Sequence, residues 1–141
     1  MLRVTVVDES SAEVVWRVHD TLSEEQVLRT TTADIEILDN GQSIVLRGRV
    51  RTRILFDLAD RLARVAAGDW PVDNQLIDDE RLTMQLSSAA GLDPRTASAN
   101  VRFDVFLGVA HVLGVVQDSQ QREAILELAA GVPEIGRASC R

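Results

Sequence analysis

The chain has 141 residues, of which 45% are hydrophobic, and a formal net charge of −7 at pH 7. This length and apolar content favour a folded domain with a real core and exclude disorder along the whole chain. The negative charge argues against broad, sequence-independent binding to nucleic acid or to an anionic membrane, but it is compatible with a local basic face.

The basic residues are all Arg, and we interpret this as codon bias in a GC-rich bacterial genome. The single cysteine is Cys140, so no disulfide, cysteine nucleophile or cysteine-ligated zinc site is expected in the rest of the chain. The N-terminus has no signal-peptide pattern, and no apolar run reaches the length of a membrane span. We therefore predict a cytoplasmic protein.

The last eight residues, 134–141, have an unusual property at the nucleotide level. With one permitted codon choice they back-translate to a string like the adaptor used in short-read sequencing libraries. Our hypothesis is that a reading frame from environmental (metagenomic) DNA ran into adaptor, so that this tail is not native and the chain is truncated. Residues 1–133 are then one α+β domain, and a further domain could follow Pro133. A different codon set at 134–141 would refute the idea.

Residues 1–50 are predicted to be mainly β-structure. Alternating apolar and polar side chains predict strands over residues 2–6 and 14–18. A clearer pair of strands covers residues 34–38 and 43–47.

The second pair of strands flanks Asn40-Gly41, which is the strongest short-range hairpin signal. A two-residue loop there sets Ile37 opposite Ile44 and Asp34 opposite Arg47. The sequence therefore predicts an antiparallel hairpin with this register.

Residues 52–131 are predicted to be mainly helical, from caps and apolar periodicity. The four helices run from the cap Thr52 to near Gly68, from Asp78-Asp79-Glu80 to Gly91, from Pro94 to Gly114, and from Ser119 to Ala130 behind a capping box at Asp118. No internal repeat is apparent. Strands followed by helices indicate the α+β class.

The second and third predicted helices meet at Gly91-Leu92-Asp93, a short turn with glycine that is typical of a helix-turn-helix. The third helix would then lie in the major groove of DNA. The polar residues near its start are candidates for reading bases: Arg95, Thr96, Ser98, Asn100 and Arg102. The alternative is a plain helix hairpin that serves only the core.

Arginines at alternate positions of one predicted strand, Arg47, Arg49, Arg51 and Arg53, share a face of that strand. They could contact phosphates. The alternative is a solvated sheet face whose arginines pair with the acidic residues of the neighbouring strand, such as Asp34.

The stretch from Asp34 to Gly114 resembles a winged-helix DNA-binding domain of the response-regulator and antibiotic-regulatory type. The matching stretches are residues 37–49, 54–59, 79–82 and 100–102. The resemblance implies N-terminal β-hairpins followed by a three- to four-helix winged-helix-like bundle. It also implies transcriptional regulation, double-stranded DNA as the partner, and a recognition helix at Asn100-Val101-Arg102.

Three functions remain open at this point. The leading hypothesis is a DNA-binding regulator. The alternative is a non-enzymatic protein–protein interaction module, with the segments 94–113 and 119–130 as its core or its partner surface. A third is a small enzyme that uses His111 or an acidic cluster made of Asp73, Asp78, Asp79 and Glu80. No nucleophile elbow, phosphate-binding loop or zinc-protease motif occurs, so we predict no catalytic residue, metal or cofactor.

Overall fold

The computed structural model describes residues 1–6, 9–31 and 33–140, without the side chains at positions 9, 137, 139 and 140. These residues form five helices and seven strands. The chain divides into two compact units, unit 1 over Met1–Asp78 and unit 2 over Asp79–Arg141. Each unit contains a sheet of its own. The α+β class predicted from the sequence is confirmed.

Unit 1 contains a four-stranded sheet and three helices. Its elements are β1 (Leu2–Thr5), α1 (Glu9–Glu24), α2 (Gln26–Thr30), β2 (Asp34–Asp39), β3 (Ile44–Val50), α3 (Arg53–Ala67) and β4 (Val72–Asp78). The strand order is β1-β2-β3-β4. The central pair, β2 and β3, is antiparallel, whereas each outer strand runs parallel to its neighbour.

The core of unit 1 lies between this sheet and the pair of helices α1 and α3, which pack against each other. Alanines on the buried face of α3, such as Ala59 and Ala63, let α1 approach closely. From the sheet, Ile37 and Leu46 are fully buried beneath the helices. Each such side chain contributes about 1.5–3 kcal/mol by leaving water.

Unit 2 repeats most of this arrangement with fewer strands. Its elements are α4 (Asp79–Leu92), β5 (Asn100–Phe106), β6 (Val109–Val115), α5 (Ser119–Ala130) and β7 (Arg137–Cys140). The strand order is β5-β6-β7, with β5 and β6 antiparallel and β7 parallel to β6. Leu82, Leu86 and Ile125 fill its core. The adaptor origin of residues 134–141 stays a prediction, which the nucleotide record would test.

Three helix predictions are confirmed, two of them with their caps. The Thr52 hydroxyl accepts a hydrogen bond from the Leu55 amide at 3.2 Å, and α3 follows. The Asp118 carboxylate accepts one from the Gln121 amide at 2.8 Å, and α5 follows. The helix that opens at the acidic run is α4.

The predicted hairpin is present as β2 and β3, but its register differs by two residues. Ile37 lies opposite Leu46, and Asp34 lies opposite Arg49. The reason is a longer loop, in which the Asn40 side-chain oxygen accepts hydrogen bonds from the amides of residues 42 and 43. A shift of two leaves every side chain on its predicted face.

The predicted strand over residues 14–18 is wrong, because this segment lies in the middle of α1. Val14 and Val18 fit an alternating pattern and a helical stripe equally well. Val15 and Leu22 decide for the helix, since both are fully buried with Val18 on the helix face that meets the core.

The predicted helix over residues 94–114 is also wrong. A turn follows α4, and the strands β5 and β6 follow the turn. The buried residues Phe103 and Val105 alternate with exposed ones, and the tight turn at Leu107 and Gly108 has positive φ at both residues. The second helix of a helix-turn-helix is therefore missing, and the winged-helix bundle is wrong.

The two hairpins are equivalent parts of an internal repeat, which the sequence did not reveal. The pairing of β2 with β3 recurs in β5 with β6 at a constant spacing of 66 residues, without a gap. Gly48 lies opposite Ile35, and Gly114 lies opposite Val101. Both glycines have φ near +130°, which other residues rarely adopt.

Candidate functional site

The arginines predicted to contact phosphate lie on or just after β3. Arg47 is exposed and lies opposite Glu36, and Arg49 lies opposite Asp34. Asp34 also forms an ion pair with Arg3 of β1 at 3.2 Å. The strand ends at Val50, so Arg51 no longer belongs to the row. This face carries both signs of charge.

Arg95, the first candidate for reading bases, is engaged by two carboxylates. Its guanidinium lies 2.9 Å from Asp93 and 3.2 Å from Glu127. These hydrogen bonds raise the pKa of Arg95, and they lower the pKa of Asp93 below its usual range. The geometry gives Arg95 a role in joining the turn after α4 to α5.

Thr96 and Ser98 also serve the scaffold. Thr96 is 2% exposed, and its hydroxyl donates to the Ala90 carbonyl at 2.7 Å, near the end of α4. The Ser98 hydroxyl accepts a hydrogen bond from the Gln121 side chain at 3.2 Å. Because Thr96 is buried, it cannot reach a base edge.

Asn100 and Arg102 are exposed on β5 and not on a helix. They belong to unit 2 with the other three base-reading candidates, whereas Arg47, Arg49 and Arg51 belong to unit 1. No helix of the described chain presents the base-reading candidates together. The recognition helix on which the DNA interpretation depended is a β-hairpin.

The residues that were candidates for catalysis lie on different strands and on a helix. His111 lies on β6 opposite Asp104, and Asp73 is exposed on β4. Asp78 and Asp79 are buried at the end of β4 and the start of α4. Within the described residues, no group of three or more histidine, cysteine or acidic side chains could hold a metal ion.

A buried carboxylate in each unit ties a helix start to a hairpin turn, and sequence reasoning missed both contacts. Asp79 accepts hydrogen bonds from the amides of Leu107 at 2.7 Å and Gly108 at 3.1 Å. In unit 1, Ser11 donates to Asp39 at 2.7 Å, and Asp39 accepts from the Gly41 amide at 3.1 Å. An acid at a helix start such as Asp79 also indicates capping, so the sequence alone does not reveal its contact with the turn.

Large apolar side chains are exposed on both units. On α3, Ile54 is 76% exposed and Val65 is 82% exposed. In unit 2, Leu92 at the end of α4 is 84% exposed, and Val115 at the end of β6 is 71% exposed. Among the described helices, none combines the length and apolarity that a membrane crossing requires.

Two solved structures share this fold. Both are of CdsD, a structural protein of the type III secretion system of Chlamydia trachomatis. One is 17% identical, with a TM-score of 0.69, and the match covers 96% of this chain and 63% of that one. The other, its C-terminal domain, is 15% identical with a TM-score of 0.64, covering 96% and 65%. This chain therefore spans less than two thirds of either structure.

No curated protein matches the chain. The model of the BON domain matches it twice, over residues 11–77 and 78–137. These matches overturn the predicted resemblance to winged-helix transcription regulators, and with it double-stranded DNA as the main partner. The chain belongs to the BON-domain family and contains two consecutive BON domains.

Proposed function

We propose that the chain is a non-enzymatic protein-interaction module whose two BON domains present apolar side chains to a polypeptide partner. The observation that carries the proposal is the set of large apolar side chains left exposed on regular elements of both units, such as Ile54 and Val65 on α3. Exposed apolar groups are typical of surfaces that bind other proteins when they form a patch with a polar rim.

The polar side chains support the same proposal. Asp79 holds the turn after β5, and Arg95 bridges Asp93 and Glu127. On α3, the Arg64 guanidinium lies 2.8 Å from Asp60. Groups that could otherwise act on a substrate are thus engaged in holding the scaffold.

The fold likeness to a structural protein of a secretion system is compatible with a binding role. The segment 94–113, expected to be an apolar helix in the core or on a partner surface, is a turn and a hairpin. We therefore assign one apolar surface to α3 of unit 1 and a separate one to the end of β6 in unit 2. The cytoplasmic location stays a prediction, which cell fractionation would test.

Site-specific crosslinking tests the proposed function. A photoreactive amino acid is placed at Val65 or at Val115, and a polypeptide captured from bacterial cells is identified and purified. The control position is Glu24, which is exposed at the end of α1. We expect capture from the apolar positions only, and a reconstituted complex with a defined stoichiometry by isothermal titration calorimetry.

A different result would point to a lipid surface. The purified chain is mixed with vesicles of phosphatidylethanolamine and phosphatidylglycerol and sedimented. If it sediments with the vesicles while the captured polypeptide forms no complex in the calorimeter, the protein-interaction proposal is refuted.

A further inference from the structure

The outer edge of β5 differs from its counterpart in unit 1. In unit 1, β2 has β3 on one side and β1 on the other. The parallel strand β1 places Leu2 beside Ile35 and Val4 beside Ile37. The Ile35 amide donates to the Met1 carbonyl at 2.8 Å, so the main chain of Ile35 faces β1.

The constant spacing of 66 residues identifies the same positions in unit 2. Val101 corresponds to Ile35, and Phe103 corresponds to Ile37. In unit 2, however, β5 is the end strand of the described sheet, and no described strand corresponds to β1. The main-chain groups that β1 satisfies in unit 1 therefore lie at an open edge in unit 2.

We propose that the edge from Val101 to Asp104 binds an extended segment of a partner protein as a parallel fourth strand. This rests on the proposed function, that the chain binds a polypeptide, and adds the edge of β5 as a further contact surface on unit 2. Open strand edges pair readily with another chain, because their N–H and C=O groups form a ready template. The segment that β1 covers in unit 1, from Ile35 to Leu38, has the same length.

The charges at this edge specify the partner. In unit 1, β2 presents Asp34 and Glu36 to Arg3 of β1, and Arg3 lies beside Glu36 in the register. Unit 2 presents Asn100 and Arg102 at those two positions. The partner segment should therefore carry an acidic residue beside Arg102, and apolar residues beside Val101 and Phe103.

The same charges disfavour a second copy of this chain as the partner. A β1 strand from another molecule would set its Arg3 beside Arg102, and like charges directly opposite each other destabilise a strand pair. An open recess of about 310 Å³ lies at this end of the hairpin, lined in part by Arg102, Gly114 and Val115.

Peptide binding to the full chain tests this proposal. One peptide of about ten residues is centred on Leu-Glu-Val-Thr, and a matched peptide has Arg in place of Glu, as β1 has. By fluorescence anisotropy we expect the acidic peptide to bind on the order of fivefold more tightly. Arg102→Glu should reverse the preference, whereas Arg122→Glu, an exposed arginine on α5, should leave it unchanged.

Two further measurements separate strand pairing from general charge attraction. N-methylation of the peptide amides that would bond to β5 should abolish binding. Hydrogen exchange should slow at Val101 and Phe103 when the acidic peptide is bound. Circular dichroism checks that each variant is folded.

The proposal is overturned if neither peptide binds, if both bind equally, or if N-methylation has no effect. In any of these cases the proposed function still stands if the polypeptide captured by crosslinking at Val65 forms a complex with the chain. If that complex does not form but the acidic peptide still binds, the assignment of a binding surface to α3 is refuted, and the proposal for the edge of β5 stands.

Discussion

Two glycines fix the shape of the hairpins at the scale of single residues. A Cβ atom at Gly48 would collide with the carbonyl of Asp34, and one at Gly114 would collide with the carbonyl of Asn100. Both glycines also have φ values of +130° and +133°. Glycine is thus required at both positions for two independent reasons, the close approach of the neighbouring strand's backbone and the positive φ.

We expect Gly48→Ala and Gly114→Ala each to lower the free energy of unfolding by at least about 2 kcal/mol, because the backbone must shift and remain strained. Urea denaturation measures the loss. The matched control is Gly91→Ala, since nothing lies within 4 Å of the Cβ that this change would add within α4. That variant should gain up to about 1 kcal/mol. Equal effects at all three positions would contradict this account.

The Asp79 carboxylate gives a second prediction at the residue scale. Asp79→Asn removes the charge and one acceptor oxygen, so one of the amides of Leu107 and Gly108 loses its partner. We expect a loss of about 2 kcal/mol and faster hydrogen exchange at these two amides. The exposed Asp104 is the control, because Asp104→Asn should change neither quantity. Unchanged exchange at Gly108 in the Asp79 variant would refute the assigned role.

At the scale of elements, the helices with strong caps could be predicted from sequence. Thr52 and Asp118 accept hydrogen bonds from the third helical amide, and the sequence shows such local contacts directly. The middle of α1 offered a weaker signal, since its valines fit two periodicities. The hairpin at 100–115 was misread because the Asp93-Pro94 signal marks only a turn.

An ion pair on α3 makes the stability of this helix depend on pH. The hydrogen bond from Arg64 is the main cause that holds the pKa of Asp60 below its usual range, and Asn74 adds to it. A lowered pKa means that the contribution is complete above the unfolded pKa of about 4 and is lost as the pH falls through the folded pKa.

Arg64→Ala should therefore raise the pKa of Asp60 towards its usual value. Carbon NMR titration of the Asp60 carboxyl measures this shift, and the stability difference from the parent chain should be present at neutral pH and shrink on acidification. Arg61→Ala removes an exposed neighbour on the same helix, without the hydrogen bond, and should leave the pKa as it is. A stability difference that grows on acidification would contradict the assignment.

At the scale of the whole molecule, the repeat was hidden because so few residues recur. Gly48 and Gly114 are identical, yet Asp34 is replaced by Asn100. Backbone pairing preserves the register while the side chains diverge, so inspection of this one sequence misses a correspondence that the topology and the two family matches reveal. The open edge of β5 could not be predicted for the same reason, since it is defined by comparison with a strand in the other unit.

Unit 1 has a complete sheet and its own core, so we expect residues 1–78 to fold alone. A domain of this size should unfold cooperatively with a stability of no more than about 5 kcal/mol. Residues 1–71 are the control, because they lack β4 and the buried Val72 and Leu76. Urea titration followed by circular dichroism distinguishes the two. The prediction is contradicted if residues 1–71 unfold cooperatively, or if residues 1–78 do not.

The constant spacing between the hairpins has a genetic consequence. Residues 33–52 and 99–118 each run from an alanine, through both strands, to the cap of the next helix, and they are equally long. Recombination between the two coding stretches would preserve the reading frame and every strand pair. Exchange of one stretch for the other would therefore change the charges at a strand edge in a single step. No intermediate protein with a shifted strand register would be needed.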